Sequence, residues 1–159
     1  MFRVGLAKDI HPLKKGRKLI LCGINIEHEF GLDGHSDADA ALHAIAESIL
    51  GALALGDLGT HFPPSNMDFK DKDSSYFVET VVDMMIQRGY EINNIDVSII
   101  AEEPKLAPYI LKMRKRVSEL LKTDIDNVSI KAGTNEKMDA VGRKEAIEAT
   151  SIVLLKKVN

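Results

Sequence analysis

Asp9 and His11 stand two residues apart in AKDIHP, near the start of the chain. In an extended backbone, residues i and i+2 point to the same face, so a carboxylate and an imidazole share one side. Pro12 holds His11 in the extended region, which fixes that strand end. His43, one turn into the first long helix, offers a third donor. Asp, His and His without a thiolate suit zinc with an open fourth position, the arrangement of a catalytic site. Two plainer readings stand beside this one. D-x-H at a strand end also occurs as a surface turn, and a histidine on an apolar helix also occurs as a satisfied core residue.

Two further clusters carry chemistry. His35-Ser36-Asp37-Ala38-Asp39 opens the helix that holds His43, where free N–H groups and the helix dipole favour an anion. Helix capping alone accounts for Ser36 and one aspartate, but not for His35 beside them. Ala132-Gly133-Thr134-Asn135-Glu136-Lys137 follows a strand, and loops at the carboxyl ends of strands are common ligand sites. Small residues there admit a ligand close to the backbone, Thr134 offers a hydroxyl, and Glu136 is a hard ligand for magnesium. A simple turn is the alternative.

These residues need a scaffold, and the pattern predicts one. FRVGLA reads as a short strand. KLILCGINIE, after the turn KKGRK, reads as a second extended stretch or hairpin. Lys14, Lys15, Arg17 and Lys18 are either a solvated turn or a phosphate patch. Ser36 with Asp39 resembles a capping box, and Leu42, Ile45, Ala46, Ile49 and Leu53 give the following helix one apolar face, ending at Gly56. LGTHFPPSNMDFKDKD is long and irregular, hence a mobile lid or a functional loop. A second helix is expected from near Ser75 to Gly89, with Val78, Val81, Val82 and Met85 as its buried stripe. Ile95–Ala101 is a strand, and Pro104 and Pro108 bracket a turn into a third helix with Ile110, Met113, Val117, Leu120 and Leu121 inward. Its basic side, KMRKR, reads as helix surface. Val128–Gly133 is a strand, and ATSIVLLKK another, although EAIEA before it could begin as helix. Strands separated by helices imply an α/β (α+β) sandwich, a mixed β-sheet with helices packed on one face.

Composition narrows the function. The 159 residues suit a single domain over 1–159, and 45% apolar with 28% charged residues is ordinary globular composition. No apolar run approaches the roughly 18 residues that span a bilayer, and charges interrupt the only apolar stretch at the start, so neither a membrane partner nor a signal peptide is expected. Cys22 is the one cysteine. It reads as a core residue and fits a reducing, cytoplasmic setting. A net charge of −3, no Trp, and only five Phe and three Tyr argue against nucleic acid. The expectation is an enzyme or small-molecule binder.

Taken in order, the motifs resemble the 2-C-methyl-D-erythritol 2,4-cyclodiphosphate synthase family of the non-mevalonate isoprenoid pathway. The matching stretches are Asp9-Ile10-His11, GHSDADAALHAIAESILGALALGDLGTHFP, IDVSIIAEEPKLAPYI with KMR, VSIKAGTNEK and GRKEAI; HSDADAALHA followed by ALGDLG is the most specific. The resemblance implies a homotrimer with sites shared between neighbouring subunits. It implies zinc on Asp9, His11 and His43, one per subunit, and a second divalent ion, magnesium or manganese, on Glu136. The implied reaction converts 4-diphosphocytidyl-2-C-methyl-D-erythritol 2-phosphate to the cyclic diphosphate and CMP, with His35 and Thr134 stabilising the transition state. Asp57 and Gly59 match positions that hold the methylerythritol unit. Ala101, Lys105, Leu106, Ala132 and Gly133, with Thr134, match the cytidine pocket of the adjacent subunit. Ser36, Asn135 and Arg143 complete the implied substrate-binding set.

Some positions depart from that pattern: Pro64-Ser65-Asn66 after FP, Gly133 in place of a threonine, Asp139-Ala140 in place of Gly-Phe, and Lys8 before the D-x-H. Lys8 is expected on the face of Phe2, Val4 and Leu6, either reaching solvent or, with Arg143, holding an inorganic anion on the trimer axis. Two rival functions remain: a metal-dependent phosphohydrolase using the same triad, and a trimeric binding module with a structural metal.

Overall fold

The computed structural model describes residues 1–70 and 72–158. The first strand, β1 (Phe2–Lys15), is far longer than FRVGLA, and Asp9 and His11 lie within it rather than at its end. A small hairpin of β2 (Leu19–Leu21) and β3 (Ile24–Ile26) follows, then β4 (Phe30–Leu32), which pairs back onto the end of β1. The main helix α1 (Ala40–Ala52) comes next, followed by the one-turn α2 (Leu58–His61) and then α3 (Ser74–Gln87). β5 (Tyr90–Ile100), α4 (Ile110–Leu121) and β6 (Val128–Gly133) form a parallel crossover unit in which Ile95 stands beside Val128. A short turn of helix, α5 (Asp139–Gly142), leads into β7 (Ala146–Lys157). EAIEA is therefore strand from Ala146 onward: β7 fills the gap between β1 and β5, and both neighbours pair with it along its length.

The sheet order is β4-β1-β7-β5-β6, with only the β5–β6 pair parallel. Strand parity separates the two faces. Gly5 and Ala7 are buried beneath helix, and Asp9, His11 and Leu13 follow on the same side. Phe2, Val4, Leu6 and Ile10 point the other way and are 64%, 63%, 67% and 46% exposed. The helices thus cover one face and leave an apolar face bare, as expected of a sandwich with helices on one side.

The helix α1 is more deeply buried than one apolar stripe would make it. Every residue from Ala40 to Leu50 is buried except His43 and Glu47, because α1 lies between the sheet and α3. Its small residues permit that depth: a β-carbon on Gly5 of β1 would fall 1.8 Å from the Ser48 carbonyl oxygen. Ser48 Oγ donates to the Ile45 carbonyl at 2.8 Å and accepts from Ser151 Oγ of β7 at 3.0 Å. Among the described residues, no helix is long and apolar enough to cross a membrane.

Candidate functional site

β1 and α1 bring the expected donors together. Asp9 Oδ2 lies 2.9 Å from His11 Nε2 and 3.1 Å from His43 Nδ1, and the two nitrogens are 3.3 Å apart. Donors about 2.0–2.1 Å from a tetrahedral zinc stand about 3.3–3.4 Å from one another, so the triangle needs little adjustment. Among the described residues, these three form the one cluster whose donor atoms converge in this way.

The protons explain why the cluster calls for a cation. His11 Nδ1 faces the Asp33 carbonyl at 3.1 Å. A carbonyl only accepts, so Nδ1 carries the hydrogen of the neutral ring, and the Nε2 lone pair turns toward Asp9 and His43. Electron-rich atoms packed this closely repel unless positive charge lies among them. Without metal, a proton does this work. Asp9's hydrogen bond holds His11 above its usual pKa, against the effect of burial. Burial alone would raise Asp9, but the His11 and His43 rings against its carboxylate outweigh burial and hold the carboxyl well below the usual range. The donor set therefore fits a borderline divalent metal.

The loop before α1 differs from the sequence reading. The cap is Asp39, with Ser36 outside the helix: Asp39 Oδ1 accepts from Leu42 N at 3.0 Å, and α1 begins at Ala40. Asp39 is fully buried and also takes the amides of Cys22 and Gly23 at 3.0 and 2.7 Å. It therefore caps the helix N-terminus and ties the β2–β3 hairpin to α1. Lys14, Lys15 and Lys18 are exposed at the turn, whereas Arg17 is half-buried. It bonds the Asp33 carboxylate at 3.2 Å and the Ser36 carbonyl at 3.0 Å, which steadies this loop.

His35 and Ser36 instead face a cavity of about 410 Å³ that also touches His11, His43, Gly59 and Lys70. Its apolar wall includes Phe62, Phe69 and Phe77, with ring centroids 4.8 Å apart for Phe62–Phe77 and 5.4 Å for Phe62–Phe69. The irregular segment after α1 supplies much of this wall; Asp71 within it lies outside the described residues. Sequence reading missed the aromatic wall, although Phe62, Phe69 and Phe77 were visible around two prolines. Asp57 caps α2, accepting from Thr60 N at 2.8 Å, and Thr60 holds its carboxyl below the usual range.

The second group lies apart. Ala101 N bonds the Gly133 carbonyl at 3.0 Å, joining the ends of β5 and β6. Ala101 and Leu106 are buried, whereas Lys105, Ala132, Gly133, Thr134 and Glu136 are exposed and Asn135 is half-buried. Glu102 Oε1 shapes their loop by accepting from Asn135 N and Lys137 N at 3.1 and 3.0 Å. None of these residues lines the cavity beside His43. Asp139 takes the left-handed conformation, φ 59°, that favours glycine, so this departure keeps a glycine-like backbone. The anion reading of Lys8 meets an obstacle: Lys8 pairs with Glu148 at 2.8 Å, and Arg143 with Glu145 at 3.0 Å.

A mixed sheet layered by helices, with a metal-ready carboxylate–imidazole triad beside a ligand-sized cavity, defines an α/β enzyme fold. The chain belongs to the YgbB family, whose model matches residues 2–156. Two relatives, from Bacillus mycoides (strain KBAB4) and Bacillus cereus (strain AH187), are each named 2-C-methyl-D-erythritol 2,4-cyclodiphosphate synthase. Each is 52% identical over 157 residues, spanning 99% of this chain and 99% of the relative. The bifunctional IspDF of Campylobacter jejuni is similar in structure, with TM-score 0.96 and 34% identity over 100% of this chain but 43% of its own. The Plasmodium falciparum IspF–CDP complex gives TM-score 0.89 and 34% identity over 99% of this chain and 97% of that one. These relatives make the chain an enzyme of the phosphorus–oxygen lyase class.

Proposed function

We propose that this chain, a single domain over residues 1–159, converts 4-diphosphocytidyl-2-C-methyl-D-erythritol 2-phosphate to 2-C-methyl-D-erythritol 2,4-cyclodiphosphate and CMP. The observation that carries the reading is the Asp9–His11–His43 triangle opening on a cavity that His35, Ser36 and Gly59 also line. A 2-phosphate oxygen forms a bond to the β-phosphorus. The bond from that phosphorus to the bridging oxygen breaks, and CMP leaves with the electron pair. The nucleophile already belongs to the substrate, so the protein's task is to fold the substrate back on itself, a proximity effect worth roughly 7–11 kcal/mol.

Asp9, His11 and His43 would hold zinc, which when bound supplies a Lewis acid for phosphoryl oxygens. Glu136 would hold magnesium or manganese arriving with the diphosphate. His35 donates to the oxygens whose charge is being redistributed, and Thr134 donates from the other side. The aromatic wall excludes water, which a cyclase needs if its product is to keep both phosphates. Asp57 and Gly59 hold the methylerythritol unit, Ala101, Lys105, Leu106, Ala132 and Gly133 belong to the cytidine side, and Ser36, Asn135 and Arg143 complete the substrate-binding set.

The protein works as a homotrimer in the cytoplasm, with no nucleic acid or membrane partner. The bare apolar face of Phe2, Val4, Leu6, Ile10 and Ile152 supports assembly, because an exposed patch of this kind usually marks an interface. The separation of the Thr134 loop from the cavity supports sites shared between subunits. The test is CMP release from the cytidine diphosphate substrate, abolished by chelation and restored by zinc together with magnesium.

A further inference from the structure

Ser74 is the first residue of α3 and is fully buried, and its hydroxyl sits between a carboxylate and a candidate metal ligand. Its Oγ lies 2.9 Å from His43 Nε2 and also hydrogen-bonds Asp37 Oδ1. Asp37 is itself committed as an acceptor: Oδ2 takes Ser74 N at 3.0 Å and Oδ1 takes Asp39 N at 3.1 Å.

We infer that Asp37 and Ser74 are positioning residues that hold His43 in the Nε2–H tautomer and so aim its Nδ1 lone pair at the metal point. The inference rests on the metal reading above and follows from counting protons. A carboxylate only accepts, so the Ser74 hydroxyl hydrogen belongs to Asp37. What Ser74 then offers His43 is a lone pair, and His43 Nε2 must donate to it. In a neutral ring the other nitrogen, Nδ1, is left bare, and it is Nδ1 that lies 3.1 Å from Asp9 and 3.3 Å from His11. Ser36 Oγ, 3.3 Å from Nε2, is a second acceptor on the same side and accepts in turn from Ala38 N. The opposite tautomer would spend Nδ1–H on Asp9 and leave two acceptors facing Nε2.

The arrangement also links two parts of the molecule. Ser74 directly follows the segment that walls the cavity, so the residue that starts α3 anchors both the end of that wall and the metal ligand. Neither Asp37 nor Ser74 needs to touch substrate to do this. Partners of metal-bound histidines that fix the tautomer typically change metal affinity by 10–100-fold when removed.

The test uses the full chain without metal, labelled on histidine nitrogen, at about pH 8.5, above the ordinary histidine range. Long-range proton–nitrogen correlation should show His43 with its hydrogen on Nε2. In Ser74→Ala the signal should move toward the Nδ1–H form, and zinc dissociation measured by competition with a chromophoric chelator should be roughly 10–100-fold weaker. Asp37→Asn should act in the same direction, and it keeps the test open if Ser74→Ala does not fold. Finding Nδ1–H in the unaltered chain, or finding His43 and zinc affinity unchanged in a folded variant, overturns the inference. Both readouts are independent of turnover, so an inactive protein with the expected tautomer would count against the proposed reaction and not against this relay.

Discussion

A β-carbon on Gly34 would stand 3.1 Å from both Nδ1 and Cε1 of His11, so the loop that carries His35 lies directly against the ring of a metal-triad histidine. The same added atom would meet the β-carbon of Ala38 at 3.0 Å, which leaves it little room to turn aside. Gly34→Ala should therefore shift the His11 ring by a few tenths of an ångström while leaving the core intact. Zinc binding should weaken by roughly tenfold with little change in thermal midpoint. Affinity equal to that of the unaltered chain, measured by calorimetry, would show that the loop gives way instead of the ring.

Zinc affinity should depend on pH through His11. Asp9 raises the His11 pKa in the metal-free fold, so the stabilisation from this pair is complete below about pH 6.5 and is lost as pH rises through the raised value. Metal requires the neutral ring, so its demand runs opposite. Below the raised value, affinity should fall by about tenfold per pH unit, with one proton released per zinc. Calorimetry in buffers of different ionisation enthalpy counts that proton. Release of none would mean that His11 is already neutral in the free protein.

The contact between β1 and α1 should tolerate no side chain at Gly5. A methyl there would be driven into the Ser48 carbonyl and the Ala52 amide, 1.8 and 2.7 Å away. Both are backbone atoms, so the helix itself would have to move. Gly5→Ala should cost about 3 kcal/mol, at the upper end for overpacking. Urea unfolding measures this, and a loss under about 1 kcal/mol would mean that α1 slides easily on the sheet.

Much of this arrangement was legible in the sequence, for physical reasons that differ from residue to residue. Asp9 and His11 share a face because side chains alternate along extended backbone, which here continues through both within the 14-residue β1. His43 was legible as a polar residue interrupting an apolar helix. Asp39 was harder to assign. Ser36 and Asp39 both suit a cap, and only the amides of Cys22 and Gly23, brought over by the hairpin, decide for Asp39. Arg17 looked like surface charge because its partners, Asp33 and the Ser36 carbonyl, are distant in sequence. Ser74 drew no attention at a helix expected from near Ser75, since nothing local records that Asp37 and His43 meet its hydroxyl. The paired charges of Lys8 and Glu148 needed the register of β1 against β7, which places Ile10 opposite Glu148.

Asp9 and Ala132 occupy one row of the sheet, joined through Ala149 and Ile99. Three strand spacings, about 14 Å, lie between the strands that carry them. Thr134 is therefore too far across to meet the zinc ligands of its own chain directly. Mixing His43→Ala with Thr134→Ala, each inactive alone, should restore part of the activity through hybrid trimers. No recovery after verified subunit exchange would mean that each site lies within one chain.

The fate of the two phosphates tests the proposed reaction most directly. With the cytidine diphosphate substrate, zinc and magnesium, phosphorus NMR should show CMP appearing together with a cyclic diphosphate in equal amount, and no inorganic phosphate. CMP with an open bisphosphate ester, or free phosphate, in place of the cyclic product would contradict cyclisation and identify the triad as a hydrolytic centre.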